Sequence, residues 1–400
     1  MTETSPVGSV GSTGSVGSNR HPVGSELLTD VRAWLDRFIC FTNEHDADLL
    51  ALWIAHTHVA NETYTSPRLI LDSPMPSAGK TTVLDHISRL AHNPIQAASL
   101  SSPALLVRLI EKGIRTICID EVDRSLAPNK PGVEDLIAII NSGYRKGATR
   151  PVLVPNKGGG WNVNEMPTYS PVVMAGNAPD LPDDTRSRCV RVLLMRDLHG
   201  IVEDSDWEDI EPEAHAIRDQ LHIWAELNRD NIRLSRPTLP EGCIGRSKER
   251  WRPLKRVADV AGGTWPKIVD NLIERSLEED RSEREDGLMR EPAAMVLIKD
   301  IRTTWGENEI HTPSKTIVSK LITHNPDYWG LSSNYGKALT VQRMGRMMVQ
   351  SFKLNSERLG DGPRGYRLSS LQPVWRRLGL PPLSETDGTD GTDGTDGGAY

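Results

Sequence analysis

The chain has 400 residues, with 47 Lys and Arg against 54 Asp and Glu and a formal net charge of −7. An acidic balance excludes indiscriminate coating of nucleic acid but leaves room for a local basic surface. Membrane insertion is excluded by the lack of a spanning apolar run and of a basic-then-apolar leader, and four scattered cysteines without a Cys-x-x-Cys pair point to a reducing cytoplasm.

In chain order, residues 1–25 are Gly/Ser-rich and too polar to offset their own ordering entropy, so they are expected to be disordered. Leu27, Leu28, Val31, Leu35, Phe38 and Ile39 recur at helical spacing, and a second amphipathic helix is expected over 47–59. The apolar run 68–72 reads as a buried strand, followed by a loop and then a helix over 81–91. Alternation continues with a strand over 95–98, a helix over 103–112, the strand Thr116–Ile119, a helix over 132–144 and a strand over 171–175. Strands alternating with helices predict a parallel sheet covered on both faces, an α/β core spanning 26–200. Residues 201–291 read as a helical lid ending in a charged linker. Helices over 293–304, 313–323 and 340–352, then a Gly-rich turn at 360–362, predict a winged-helix-like module over 292–380. The tail 381–400 carries Thr-Asp-Gly four times and lacks the apolar positions a stacked calcium repeat needs, so it is expected to be solvated.

The chemistry concentrates after the strands. Ser77-Ala78-Gly79-Lys80-Thr81, with Thr82, ends as a phosphate loop does: backbone N–H groups at a helix start cradle phosphates, a Lys reaches the β and γ oxygens, and a hydroxyl ligates Mg²⁺. Pro74 stands where the general pattern has Gly, and Pro76 removes a further donor. The strand before Asp120 delivers that carboxylate to the sheet edge to hold, through water, the Mg²⁺ that Thr81 ligates, and it places Glu121 to polarise the attacking water. Asn177 reads as a γ-phosphate or water sensor, with a plain turn as the alternative. Arg188 is the chosen arginine finger toward a neighbouring subunit, with Arg186, Arg191 and Arg196 as rivals. Asp123 and Arg124 read as surface charge.

Ser73-Pro74-Met75-Pro76-Ser77-Ala78-Gly79-Lys80-Thr81, Ile119-Asp120-Glu121-Val122-Asp123 and Arg188-Cys189-Val190 are joined by Trp251-Arg252-Pro253-Leu254, Ala258-Asp259, Gly262-Gly263-Thr264-Trp265-Pro266 and Gly365-Tyr366-Arg367. Together, across 26–378, they resemble the domain-of-unknown-function family numbered 3631, found in phage, plasmid and actinobacterial proteins and often joined to primase-type modules. The resemblance implies a P-loop NTPase of AAA+ or helicase-like fold, related to ring-forming replication helicases. Ser-Pro-x-Pro before the loop is similar to that family as well, which accounts for Pro74. No primase active site is recognisable in the chain, and a primase is one partner that the resemblance suggests.

Two features point to DNA. Residues 150–163 read as a hairpin with Lys157 and Trp161 at its tip, placed to meet single-stranded DNA in a ring pore or, alternatively, packed locally. Residues 292–380 hold thirteen basic against six acidic side chains, with Lys337, Arg343, Arg346, Arg364 and Arg367 as candidate duplex contacts, although a winged module can equally bind protein. Met344, Met347 and Met348 read as core. The leading expectation is a cytoplasmic, Mg²⁺-dependent ATPase assembled as a homo-oligomer, with a hexameric ring as the expected form, and working as a DNA-dependent motor in phage or plasmid replication. An ATP-controlled regulator or initiator without motor activity and a nucleotide-gated protein scaffold are the alternatives.

Overall fold

The computed structural model describes residues 22–97, 103–127, 130–156, 158–198, 200–285, 292–331 and 337–380. Most of the N-terminal stretch expected to be disordered, the whole Thr-Asp-Gly tail, and Lys157 lie outside these residues. The chain divides into two compact units at Asp280 and Arg281.

In the first unit the chain runs α1 (Gly24–Phe38), α2 (Asp46–His58), β1 (Arg68–Ser73), α3 (Lys80–Leu90), β2 (Pro94–Ala97), α4 (Pro103–Glu111) and β3 (Thr116–Ile119). It continues through α5 (Val122–Ser125), α6 (Val133–Ser142), β4 (Thr149–Pro155), β5 (Trp161–Pro167), β6 (Val172–Asn177), α7 (Asp183–Arg186) and β7 (Cys189–Leu193). The helices α8 (Trp207–Leu234), α9 (Gly245–Ala261) and α10 (Trp265–Glu285) follow.

Five strands form a parallel sheet in the order β2-β3-β6-β1-β7. Successive side chains on a strand face opposite sides, and the two cores divide accordingly. Leu69 and Leu71 join Val173, Ala175, Val190 and Val192 in one core with α1, α2, α3 and α8. Ile70, Ile117, Ile119, Val172 and Met174 face the other core, with α4 and α6. The α/β class with helices on both faces follows directly.

Three expectations change. The helix over 46–58 is buried on every side instead of amphipathic, because α8 and α9 pack against it; a helix apolar all round needs such cover. The helices expected as a lid therefore share the core of the first unit, with Leu221, Trp224, Trp251, Leu254 and Trp265 inside it. The same packing orders the start of α1, expected within the disordered segment. A Cβ at Gly24 would stand 2.6 Å from Trp224 Nε1 and 2.7 Å from Ala261 Cα, and the Ser25 carbonyl accepts from Trp265 Nε1 at 3.1 Å.

Arg68 lies fully buried at the start of β1, where its Nε and Nη2 donate to the Ile140 carbonyl at 3.1 and 2.6 Å and Nη1 donates to the Ser170 carbonyl. Burial pushes its guanidinium down to about 10, leaving a cation that ties β1 to α6 and to the entry of β6. Arg68→Ala removes the donors of two buried carbonyls and leaves a cavity. A loss of about 2–4 kcal/mol in urea unfolding is expected.

The second unit holds α11 (Ala293–Thr304), β8 (His311–Pro313), α12 (Ser314–His324), α13 (Pro326–Trp329), α14 (Val341–Phe352), β9 (Glu357–Arg358), β10 (Arg364–Arg367) and α15 (Leu368–Arg377). A three-stranded antiparallel sheet in the order β8-β10-β9 packs with these helices around Leu297, Ile301, Trp329, Met344, Met348, Tyr366 and Trp375. Met347 packs on the same core. The short strand β8 and the last helix α15 were not expected from the sequence.

Candidate active site

At the carboxyl edge of the sheet, the turn from β1 into α3 winds tightly. Ser73 Oγ accepts from Met75 N at 3.1 Å and donates to the Met75 carbonyl at 2.7 Å, a local lock compatible with the prolines on either side of Met75. Ser77 and Gly79 then take left-handed backbone, with φ of 60° and 83°. Gly79 caps α3 with no side-chain hydrogen bond, so the leading N–H groups of the helix lack intrahelical partners.

The strand order sets the other walls. Because β6 lies between β1 and β3, Asn177 ends beside the loop and Asp120 faces it from the far side. Residues 76–82 line one cavity of about 480 Å³ with Asp120, Glu121, Asp123, Arg124, Gly176 and Asn177. Within it Lys80 Nζ donates to Asn177 Oδ1 at 2.7 Å and to the Met75 carbonyl at 3.3 Å. Thr81 Oγ1 donates to Asp120 Oδ2 at 3.1 Å, and Asp120 Oδ1 accepts the Glu121 N–H at 2.8 Å. Burial pulls the Lys80 ammonium below its usual range, opposed by the carboxylates of Asp123, Asp72 and Asp120. Glu121, with φ of 49°, projects into solvent, where Arg124 Nη1 donates to its Oε1 at 3.2 Å.

Ser77, Ala78, Gly79, Lys80, Thr81, Thr82, Asp120, Glu121 and Asn177 are thus brought together. Arg188 is not. It precedes β7 at the opposite rim, its side chain only 13% exposed, held by Asp184 and within 5.9 Å of the Tyr144 ring. Its rival Arg191 is engaged within the chain, donating to Asp72 Oδ2 at 2.5 Å.

Trp161 stands on the exposed face of the β4–β5 hairpin, 67% exposed and opposite Pro155, with the Leu153–Val163 pair beside it. The alternative of local packing is not what the side chain does. In the second unit Arg346 is exposed on α14 and Arg343 is half-buried there, while Lys337 is exposed just before the helix. Arg364 and Arg367 are the first and last residues of β10. Arg364 donates to Ser356 Oγ at 3.2 Å, and Arg367 pairs with Glu357 across the hairpin at 3.2 Å, which offsets part of its charge.

Three site residues escape a sequence reading. Asp123 Oδ1 accepts the Asn177 N–H at 3.1 Å, so it positions the residue that meets Lys80 and is more than surface charge. Asp72 Oδ1 accepts the Ala178 N–H at 3.0 Å and fixes the turn after β6. At Gly176 a Cβ would lie 2.7 Å from Val122 Cγ2 and 3.0 Å from Asp123 Oδ1. Only the apolar-then-acidic texture at the strand ends could have hinted at the two carboxylates. Gly176→Ala is expected to cost about 1–3 kcal/mol in denaturant unfolding, because α5 must shift away from β6.

Among solved structures the chain is similar to the apo structure of the NrS-1 C-terminal region, with a TM-score of 0.40 and 12% identity over 86% of this chain and 75% of that one. It is also similar to a full-length MCM homolog from Methanopyrus kandleri, with a TM-score of 0.38 and 15% identity over 66% of this chain and 63% of that one. A curated relative from Saccharopolyspora erythraea, described as an uncharacterized 28.9 kDa protein in the xis 5' region, is 27% identical over 168 residues. That match takes in 40% of this chain and spans 59% of the relative's own length. The family match begins at Arg191, so the loop and strand-end motifs lie before it, whereas the Trp-rich segment and Gly365-Tyr366-Arg367 lie inside it. Residues 191–378 match the family described as Protein of unknown function (DUF3631).

Proposed function

We propose that this chain is a Mg²⁺-dependent ATPase of P-loop type that works as a DNA-dependent motor. One observation carries the reading: Lys80, Thr81, Asp120, Glu121 and Asn177 converge on one polar pocket at the carboxyl edge of a parallel sheet. Lys80 and the leading N–H groups of α3 suit the triphosphate, a ready anion site at a helix start. The Thr81 hydroxyl and the Asp120 carboxylate, already 3.1 Å apart, form the hard oxygen pair that Mg²⁺ takes. The metal, once bound, neutralises charge on the β and γ oxygens.

The chain's own groups do the rest. Lys80 leaves Asn177 for phosphate oxygens, freeing the side-chain amide of a residue whose backbone N–H is held by Asp123, and that amide meets the γ-phosphate or the attacking water. Glu121, released from Arg124, accepts a proton from that water. Arg188 is too far from this pocket to serve it, so its role as a finger requires a neighbouring subunit, as in a ring. The second unit reads as a winged helix, with α14 and the β9–β10 hairpin as its duplex-reading parts. In a ring, Trp161 and its exposed apolar neighbours would face a strand in the pore.

Phosphate release from ATP by the purified chain, with and without single-stranded DNA, tests the reading together with strand separation on a forked duplex. Turnover stimulated by single strands, with unwinding, is expected. Unstimulated turnover with tight sequence-specific duplex binding would replace the motor by a switch, and absence of DNA affinity would leave a protein scaffold.

A further inference from the structure

Three histidines from separate parts of the first unit meet away from the nucleotide pocket. His58 ends α2, His92 lies in the turn from α3 to β2, and His222 lies on α8. Among the described residues their ligating nitrogens all lie within 4.8 Å of one another. The His58 and His92 rings meet edge-on at 5.7 Å, and His92 stacks on His222 at 6.3 Å.

The most buried ring is already set for ligation. His58 Nε2 lies 2.8 Å from the Leu90 carbonyl, which can only accept, so Nε2 carries the proton and Nδ1 keeps its lone pair. That Nδ1 is buried and has no hydrogen-bond partner, and the residue is 7% exposed. A metal-bound imidazole typically donates its other N–H to a carbonyl in this way, which fixes ring and tautomer. Leaving such a nitrogen bare inside a protein costs free energy. At His92, Asn93 Nδ2 donates to Nε2 at 3.1 Å, so that lone pair is engaged and a metal taking it displaces the amide.

Burial disfavours the protonated form of His58 and His92, and a metal ligand needs the neutral imidazole. Burial pushes His58 down to about 3, and it also lowers His92, with His222 and Arg229 adding to the effect and Glu226 opposing it. Arg229 is itself matched by Glu226 and Glu62, and Arg218 by Asp219. No excess of positive charge therefore bars a cation.

We propose that His58, His92 and His222 form a divalent transition-metal site, best suited to Zn²⁺, that pins α8 to the end of α2 and to the turn following α3. Zn–N bonds of about 2.0–2.1 Å place tetrahedral nitrogens about 3.4 Å apart, so nitrogens that lie within 4.8 Å must close by up to about 1.4 Å. His92 and His222 are the less buried two and supply that movement, while His58 stays fixed. A water molecule completes the tetrahedron.

The test uses the full chain stripped by chelator and titrated with ZnCl₂ by calorimetry, and with CoCl₂ by visible absorption. One equivalent is expected to bind, with the d–d bands of a tetrahedral cobalt centre and a higher melting temperature in Zn²⁺. His222→Ala, at an exposed position that leaves the fold intact, should weaken Zn²⁺ binding by about 100-fold or more and remove both effects. His92→Ala should do the same, whereas His45→Ala should change nothing. Zn²⁺ affinity unaltered in His222→Ala and His92→Ala, or no saturable equivalent in the parent chain, overturns the site. Neither outcome depends on ATP turnover, so the proposal stands or falls apart from the nucleotide pocket.

Discussion

Lys80→Ala is expected to weaken ATP binding by about 100-fold or more and to bring hydrolysis to background. The ammonium sits in a partly desolvated pocket, held by Asn177 Oδ1 at 2.7 Å and by the Met75 carbonyl at 3.3 Å. On the proposed reading, each charge-assisted hydrogen bond from Lys80 to phosphate would contribute about 1.5–3 kcal/mol, and two of them would account for that loss. Stability should change little, because burial already disfavours the charged form in the free protein. Titration with a fluorescent ATP analogue, read beside the melting temperature, separates the two effects. Unaltered affinity would remove Lys80 from the phosphate site.

Glu121→Gln should separate binding from chemistry. The carboxylate is exposed and its hydrogen bond goes to Arg124, so nucleotide affinity should stay within a few-fold of the parent value. Removing a general base costs about 10²–10⁴ in rate, and single-turnover phosphate release should fall by that factor. The amide also loses the ion pair with Arg124, but an exposed pair contributes little to stability. Normal turnover in this variant would pass the base role to another group.

Much of the sheet could be read from the sequence because its signal is local. The apolar runs before Asp72 and Asp120 and the helical spacing of Val83, Leu84, Ile87 and Leu90 depend only on near neighbours, and β1, β3 and α3 stand where those patterns put them. Packing between distant segments is not written that way. The all-round burial of α2 depends on α8 and α9, which arrive more than a hundred residues later. Strand β7 begins directly after the arginine-rich stretch and is only five residues long, with Cys189 and Val190 both buried before any alternation begins, too short a pattern to separate from a loop.

The site divides along the same line. Lys80, Thr81, Asp120 and Glu121 carry motif spacing and were named from it. Asp123 works by accepting one backbone N–H from a strand fifty residues away, and Gly176 is needed only because α5 crosses within van der Waals reach. The three histidines at 58, 92 and 222 have no spacing that could betray them. They meet because two helices and a turn converge.

Where a triphosphate binds is tested most directly by a crystal structure of the chain with Mg²⁺ and a non-hydrolysable ATP analogue. Phosphates are expected against the backbone of residues 77–82, with Lys80 on the terminal phosphates and the metal between the Thr81 hydroxyl and the Asp120 carboxylate. Analogue density elsewhere, or a metal that ignores Thr81 and Asp120 while phosphates avoid Lys80, would contradict that placement.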